Sequence, residues 1–308
     1  MRVYLAATQD IYSGSADVEV HRLLTSYLGK ADDKIPNALA HAGFYSGKPD
    51  APTDWCVDSG AHHWISKFFK TGTRDPVEKI EAHMENLCNY IRNLDAELQP
   101  TWTVEMDLQD IYGIDLINEW REKYWYPLEV ETGVRVCYVM HGSDSDDTWQ
   151  EMLAHPSMNL LGMSIVSGQP LGRWIKRGFE AYEACKPVHG FACVKAKRMA
   201  VIPFWSVDST SWGAGSMFGT VSSFNARIGK VQEGHAGRRT YRKDPKEAIG
   251  KLLKTRGRVQ VRDVLGTSAG GSLSRLYQNA ANEYAKMERY YNSYWKAKGI
   301  DWQKQLKE

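Results

Sequence analysis

Eight short apolar runs, separated by amphipathic segments, are the feature of this sequence that most restricts its fold. The runs are almost continuously hydrophobic, which is typical of parallel strands buried on both faces. They lie at residues 2–8, 40–45, 54–58, 101–107, 134–141, 160–166, 187–191 and 204–208. Strand–helix alternation repeated eight times predicts the α/β class and a (β/α)8 barrel of the TIM type. An open doubly wound sheet is the alternative, although no Gly-x-Gly-x-x-Gly motif follows an early strand.

The segments between these runs have the apolar spacing of amphipathic helices. Asp75 and Pro76 form a favourable N-cap and first turn for a helix over residues 77–98. One face of this helix is apolar, formed by Val77, Ile80, Met84, Leu87, Cys88, Ile91 and Leu94. Further helices are predicted over residues 115–124, 149–154 and 174–185, and residues 143–147 offer capping groups to the second of these.

The distribution of charge separates the C-terminal part of the chain from the rest. Residues 226–262 hold twelve Lys and Arg against three acidic residues, a net charge of +9. Since the whole chain carries only +2, the remainder is acidic by about seven charges. A Gly/Ser stretch at residues 266–272 then precedes a long helix. We therefore expect a catalytic barrel at residues 1–225, and a basic segment with a C-terminal helix at residues 226–308 that packs on or extends the barrel.

Composition argues against a secreted, membrane-bound or zinc-containing protein. The five cysteines are odd in number and form no disulfide framework, which favours reduced thiols. Cys185, His189 and Cys193 lack a fourth zinc ligand, so no metal site is expected. The apolar run at residues 1–8 has no basic leader, and no run is long enough to span a membrane. The sequence predicts a cytoplasmic protein without a membrane partner.

Ionisable residues stand at the carboxyl ends of five predicted strands. They are Asp58, Asp107, His141, His189 and Asp208. Catalytic groups of (β/α)8 enzymes project from these ends, so the five side chains are candidates for one active site. Each also has an ordinary structural explanation, because an Asp after a strand often caps the next helix and a lone His is often structural.

The two aspartates Asp58 and Asp208 have the surroundings that chemistry at a sugar carbon needs. Small residues follow Asp58, leaving room for a flat ligand, and hydroxyl residues around Asp208 could hold its carboxylate ionised. Two carboxylates at one barrel mouth suit displacement at an anomeric carbon. One attacks C1′ as a nucleophile, and the other moves a proton on the base that leaves or enters.

Four motifs in this chain resemble those of tRNA-guanine transglycosylases, and more closely the phage-encoded DpdA-type DNA-guanine transglycosylases. They are Asp58-Ser59-Gly60-Ala61, Glu105-Met106-Asp107, His189-Gly190-Phe191 and Val207-Asp208-Ser209-Thr210-Ser211-Trp212. The last motif is the most specific, and the resemblance extends over roughly residues 1–225. It implies a (β/α)8 barrel that exchanges guanine for a 7-deazaguanine base. The zinc-binding Cys-x-Cys-x-x-Cys run of the tRNA enzymes has no counterpart here.

The resemblance also implies a role for each matching residue. Asp208 is expected to form a covalent link to C1′ as guanine departs, and Asp58 to take a proton from the incoming base. Asp107 is expected to accept hydrogen bonds from the N1–H and amino groups of guanine, a donor pair that a carboxylate recognises well. Further substrate contacts are expected from Ser59, Gly60, His141, Gly162, His189 and Ser209. The co-substrate is a free base such as 7-cyano-7-deazaguanine, and no cofactor is expected.

The basic segment at residues 226–262 is the predicted nucleic-acid-binding surface. The residues assigned to it are Arg227, Lys230, Arg238, Arg239, Arg242 and Lys243. DNA is preferred over tRNA as the substrate, although no residue decides between them. The sequence is also compatible with a catalytically silent nucleic-acid-binding protein or with a glycoside hydrolase. A glycoside hydrolase would leave the basic segment without a use.

Overall fold

A computed structural model describes residues 1–6, 22–27, 54–165, 168–212, 220–235 and 272–307. Eight parallel strands close into a barrel in chain order, so the predicted (β/α)8 architecture is confirmed. The strands are β1 (Arg2–Ala6), β2 (Arg22–Ser26), β3 (Asp54–Asp58), β4 (Trp102–Val104), β5 (Arg135–Met140), β6 (Leu160–Met163), β7 (Val188–Gly190) and β8 (Ser206–Ser209). The barrel closes between β1 and β8, where Tyr4 is the partner of Asp208.

The second barrel strand differs from the one that the sequence predicted. We assigned this position to residues 40–45, which lie outside the described residues, but β2 occupies it and pairs with both β1 and β3. Leu23 and Leu24 are the only apolar residues of β2, too few to stand out as a hydrophobic run. Its polar ends have partners instead: the Arg22 guanidinium contacts Glu288, and the Ser26 hydroxyl contacts Asp58.

The interior of the barrel is a packed core, because alternate side chains of every strand point inward. This inner cluster comprises Tyr4, Ala6, Leu24, Cys56, Trp102, Val104, Cys137, Val139 and Leu160, with Trp205 and Trp302. Trp102 donates from its indole nitrogen to the Tyr4 hydroxyl at 2.9 Å, and that hydroxyl donates to Asp54 at 2.6 Å. The core therefore fills the lower part of the barrel and leaves polar groups to the carboxyl-terminal mouth.

Helices follow the strands and cover the outside of the barrel. They include α1 (Ala61–Thr71), α2 (Val77–Arg92), α3 (Gln109–Tyr112), α4 (Ile114–Trp120), α5 (Tyr126–Thr132), α6 (Asp146–Ala154), α7 (Leu171–Glu183) and α8 (Ala196–Met199). Helix α2 ends at Arg92, six residues earlier than predicted, and a short 3-10 turn follows at Ala96–Leu98. Asp75 does not cap α2. It accepts hydrogen bonds from Lys67 at 2.7 Å and Lys79 at 2.9 Å instead.

A π-helical segment, Arg121–Trp125, connects α4 to α5 and supports the mouth of the barrel. Arg121 donates two hydrogen bonds of 2.7 Å to the fully buried carboxylate of Glu105, just after β4. The same carboxylate accepts a hydrogen bond from the Val139 N–H at 2.6 Å. This bidentate pair fixes the loop that carries Asp107 to the strand that precedes His141.

The chain beyond the barrel forms a hairpin and a long helix. The antiparallel strands β9 (Thr220–Asn225) and β10 (Lys230–His235) pack against α9 (Ser272–Lys296), and α10 (Trp302–Gln305) follows. The Trp302 indole donates to the carbonyl of Pro203, before β8, and so lies at the amino-terminal end of the barrel. Within the described residues, none of the helices has the length and hydrophobicity of a membrane span.

Candidate active site

Asp58 and Asp208 both lie at the carboxyl-terminal mouth of the barrel. Asp58 is the last residue of β3, and Asp208 is the third residue of β8. The two carboxylates are close enough to interact, since the charge of Asp208 helps to raise the pKa of Asp58. The barrel thus brings together the two groups that the sequence selected 150 residues apart.

The carboxyl group of Asp58 is held in a setting that favours its protonated form. Burial raises its pKa from the usual 3.8 to about 7, and the charges of Asp107 and Asp208 act in the same direction. Hydrogen bonds from Ser26 and from the Gly60 N–H oppose this shift and orient the group. A carboxyl group with a pKa near neutrality can both donate and accept a proton, which general acid–base catalysis requires.

Asp208 lies in a different setting, among hydrogen-bond donors. One of its oxygens, Oδ1, accepts from the Ala192 N–H at 2.7 Å and lies 3.3 Å from His189 Nε2. The other ring nitrogen of His189 lies 2.8 Å from the Ser206 hydroxyl, which fixes the orientation of this fully buried ring. The second oxygen of Asp208 is thereby left as the one that can face a substrate.

Two details of this arrangement differ from what the sequence indicated. The Ser209 hydroxyl does not hold Asp208; it contacts Ser211 Oγ at 2.7 Å and the Tyr284 hydroxyl at 3.4 Å. Ala192, which no sequence pattern singled out, supplies the backbone donor instead. Its φ of 49° lies in the left-handed region, where a residue with a Cβ is strained by about 1 kcal/mol or more.

Asp107 and His141 form part of a hydrogen-bonded chain across the ends of β4 and β5. His141 Nε2 lies 3.0 Å from Asp107 Oδ2, and Nδ1 lies 2.7 Å from Asp110 Oδ2. Burial alone lowers the pKa of His141, but the hydrogen bonds that its ring donates to Asp107 and Asp110, with the charges of these carboxylates, outweigh burial and raise that pKa to about 10. His141 is therefore a cation that orients Asp107, with both ring nitrogens occupied by carboxylates.

Ser59 and Gly60 shape the turn that follows Asp58. The Ser59 side chain is fully buried and donates to the Glu105 carbonyl at 2.8 Å, which ties the β3 turn to the end of β4. Gly60 has a φ of 83°, so a left-handed turn directs its N–H back to Asp58 at the start of α1. Ser59 thus holds the turn after β3 in place, whereas Gly60 donates a hydrogen bond directly to the carboxyl group of Asp58.

Gly162 leaves space that an aromatic ring occupies. It lies on β6 between Val139 of β5 and His189 of β7. A Cβ on Gly162 would approach Phe191 Cε2 to 2.7 Å and Cys137 Sγ to 3.1 Å. Phe191 in turn contacts the His189 ring edge-to-face, with 4.6 Å between centroids. The absence of a side chain at Gly162 therefore determines where Phe191 and His189 lie.

Only part of the predicted nucleic-acid surface falls within the described residues. Arg227 lies in the exposed turn between β9 and β10, and Lys230 is the exposed first residue of β10. The other predicted contacts lie outside the described residues: Arg238, Arg239, Arg242 and Lys243.

The predicted absence of metal and cofactor remains a prediction. In the described segments, no group of three His, Cys, Asp or Glu side chains has the geometry to hold a metal ion. Among the three residues that were considered as zinc ligands, Cys185 is exposed and Cys193 is buried. Both ring nitrogens of His189 are in hydrogen-bond contact with Ser206 and Asp208.

Two residues of the site were missed because their signals are not local. Ser26 lies on the strand that the hydrophobic pattern did not reveal, and Asp110 belongs to none of the motifs selected from the sequence. Asp110 stands three residues after Asp107, a spacing that could have suggested a shared partner.

Comparison with known proteins adds little to this geometry. No protein-family model matches the chain, and no curated protein matches it. The chain resembles a solved structure described as "Structural study of Project ID from Aquifex aeolicus VF5", with 11% sequence identity and a TM-score of 0.41 over 92% of each chain. Similarity at this level carries no argument about function, so the proposal depends on the residues themselves.

Proposed function

We propose that this protein exchanges guanine in a nucleic acid, preferably DNA, for a free 7-deazaguanine base such as 7-cyano-7-deazaguanine. The observation that carries the proposal is the pairing of Asp58 and Asp208 at one barrel mouth in unlike settings. Asp58 has a pKa of about 7, and Asp208 accepts hydrogen bonds from Ala192 and His189. Carboxyl groups whose environments separate their roles are characteristic of acid–base and nucleophilic catalysis at one centre.

The exchange consists of two displacements at C1′. A carboxylate oxygen of Asp208 attacks C1′, the C1′–N9 bond breaks, and the departing guanine takes a proton from Asp58. The incoming base then gives its N9 proton to Asp58, and its nitrogen displaces Asp208 from C1′. Because each step breaks one bond to C1′ and forms another, no outside energy source is required.

Asp107 is proposed to recognise the base. Its carboxylate, 16% exposed and held by His141, can accept hydrogen bonds from the N1–H and amino groups that guanine and 7-deazaguanines share. The cationic His141 keeps this carboxylate in place without touching the base. Phe191, which fills the space left by Gly162 and contacts the His189 ring, is proposed to form one side of the base-binding site.

The nucleic acid is proposed from two features. The four motifs around Asp58, Asp107, His189 and Asp208 are similar to those of the DpdA-type enzymes, which act on DNA. Arg227 and Lys230 add exposed positive charge to the hairpin beside β8. Reaching C1′ inside a duplex requires the target nucleotide to leave the base stack.

Incubation with radiolabelled guanine and either duplex DNA or bulk tRNA tests this function. We expect label in DNA, and we expect unlabelled 7-cyano-7-deazaguanine to compete. Asp208→Ala should remove exchange together with any DNA–protein adduct that survives denaturation. Asp58→Asn should slow exchange by about 10²–10⁴-fold, the usual contribution of a general acid–base group.

Asp115→Asn provides a matched control, because this aspartate is exposed in the first turn of α4 and is not one of the residues assigned to the site. Exchange that survives in Asp208→Ala would refute Asp208 as the nucleophile. Label in tRNA alone would preserve the mechanism and change the nucleic acid. No exchange on either polymer, with binding unchanged in Asp58→Asn and Asp208→Asn, would indicate a catalytically silent binding protein instead.

A further inference from the structure

An open cleft of about 660 Å³ lies beside Asp208, between the barrel mouth and the hairpin. Its walls are the loops after β7 and β8, the start of β10, and two residues of α9. Its volume falls within the range of about 300–1,000 Å³ that small-molecule sites occupy.

The cleft is connected directly to the proposed nucleophile. Ala192, which lines the cleft, donates its N–H to Asp208 at 2.7 Å. Ser209, the residue after Asp208, also lines the cleft. A ligand bound in the cleft therefore lies next to a substrate that faces the Asp208 carboxylate.

Positive charge enters the cleft from two separate elements. Lys195 lies after β7 and Lys230 begins β10, and both side chains are exposed. In the segments that the structure describes, neither ammonium group forms an ion pair with a carboxylate. Two cations that line one cleft from separate elements attract an anion into it.

The remaining wall offers hydroxyl groups and apolar surface. Ser211 Oγ lies 2.7 Å from Ser209 Oγ and 2.9 Å from the Tyr284 hydroxyl. Hydroxyl groups can rotate to donate to an anion. Val194, Val231 and Met287 give the same cleft an apolar side, against which a sugar ring can pack.

We propose that this cleft binds the backbone phosphodiester of the nucleotide next to the one whose base is exchanged. A phosphate group matches the two lysines and the hydroxyl groups, and the attached sugar matches the apolar side. The position beside Asp208 is where the neighbouring nucleotide of a strand must lie when C1′ of the target faces that carboxylate. The inference depends on the proposed function only for its choice of a nucleic acid as the ligand.

Binding of a fluorescein-labelled single-stranded oligodeoxynucleotide, followed by anisotropy at a series of salt concentrations, tests the cleft. The measurements use Asp208→Asn protein, in which no covalent adduct can form. The double variant Lys195→Gln/Lys230→Gln is expected to reduce the slope of log K against log salt by about 0.7, the contribution of one phosphate contact on a single strand. Each single variant should reduce the slope by part of that amount, because both lysines contact the same phosphate.

Lys70→Gln is the matched control, because Lys70 is exposed in the last turn of α1 and is not part of the cleft. It should leave the slope unchanged. Inorganic phosphate at millimolar concentration serves as a competitor that lacks the sugar. An unchanged slope in the double variant overturns the proposal. The proposal is also overturned if the same concentration of inorganic phosphate displaces the oligodeoxynucleotide from the cleft variants and from the parent protein.

The two proposals fail in distinguishable ways. Loss of slope in the lysine variants, with no base exchange by the native protein, supports the cleft and refutes the chemistry. Base exchange with an unchanged KM for DNA in the double variant supports the chemistry and refutes the cleft.

Discussion

At the scale of single residues, Asp58 and Asp208 show how the barrel places the same type of side chain in two different environments. Asp58 lies where burial and the charges of Asp107 and Asp208 raise its pKa to about 7. Asp208 lies where a strained backbone at Ala192 and a buried His189 present hydrogen-bond donors to it. Neither setting is visible in the sequence around the aspartate, because each depends on strands distant in the chain.

The raised pKa of Asp58 makes a prediction about stability. An aspartate that titrates near its usual 3.8 when unfolded and at about 7 when folded favours folding below pH 4, and this contribution is lost as pH rises to 7. Asp58→Asn should therefore be more stable than the native protein at about pH 8. The free energy of unfolding of the variant relative to that of the native protein should be on the order of 2 kcal/mol higher at about pH 8 than at about pH 5. Urea unfolding at both pH values measures this difference.

Asp115→Asn, at an exposed position, should show no such dependence on pH. If the stability difference between Asp58→Asn and the native protein is the same at both pH values, Asp58 does not titrate near neutrality. Its assignment as the acid–base group would then fail as well, independently of any activity measurement.

At the scale of elements, the sequence predicted the strands whose apolar runs are long and missed the one whose run is short. Strand β3 coincides with its predicted run, and β8 overlaps its run at residues 204–208 to within one residue at its end, since Phe204 and Trp205 just before the strand supply most of the apolar signal. Strand β2 was missed since Arg22 and Ser26 serve Glu288 and Asp58 rather than the core. Because Arg22 and Ser26 are polar, the apolar run of β2 is too short for the strand to be recognised from hydrophobicity.

Gly162 on β6 provides a prediction at this scale. Gly162→Ala should destabilise the protein by about 1–3 kcal/mol, because its Cβ would lie 2.7 Å from Phe191 and 3.1 Å from Cys137 in a packed interior. Displacement of Phe191 should also move His189 and reduce base exchange. Thermal unfolding and exchange rate are the two measurements.

Gly172→Ala on α7 is the control for Gly162→Ala, because nothing lies within 4 Å of a Cβ there. This substitution should be neutral or stabilise by up to about 1 kcal/mol. Equal effects at the two glycines would mean that the contact with Phe191 does not limit the site. Adding Phe191→Leu to Gly162→Ala should recover part of the stability but not the exchange rate.

At the scale of the whole molecule, helix α9 connects the C-terminal part of the chain to the barrel. Near the mouth, Tyr284 contacts Ser211, and further along Tyr291 donates to the Ala196 carbonyl at 3.3 Å. Toward the other end, the Trp295 indole donates to the Met199 carbonyl. The sequence predicted a boundary near residue 225, with the C-terminal helix packed on or extending the barrel. From these contacts we expect the stability of the barrel to depend on α9.

Glu288 of α9 offers the sharpest test of this dependence. Its carboxylate accepts the Val3 N–H of β1 at 2.8 Å and the Arg22 guanidinium of β2 at 2.6 Å. Glu288→Ala leaves both donors without this acceptor and should destabilise the protein by about 1–3 kcal/mol. Arg289→Ala, one position further on the exposed side of the helix, should change stability by about 0.5 kcal/mol or less.

If barrel and helix form one cooperative unit, circular dichroism and tryptophan fluorescence will report the same shifted transition in Glu288→Ala. Two separated transitions would show instead that the C-terminal part unfolds by itself, and that the cleft between hairpin and barrel can open without loss of the barrel.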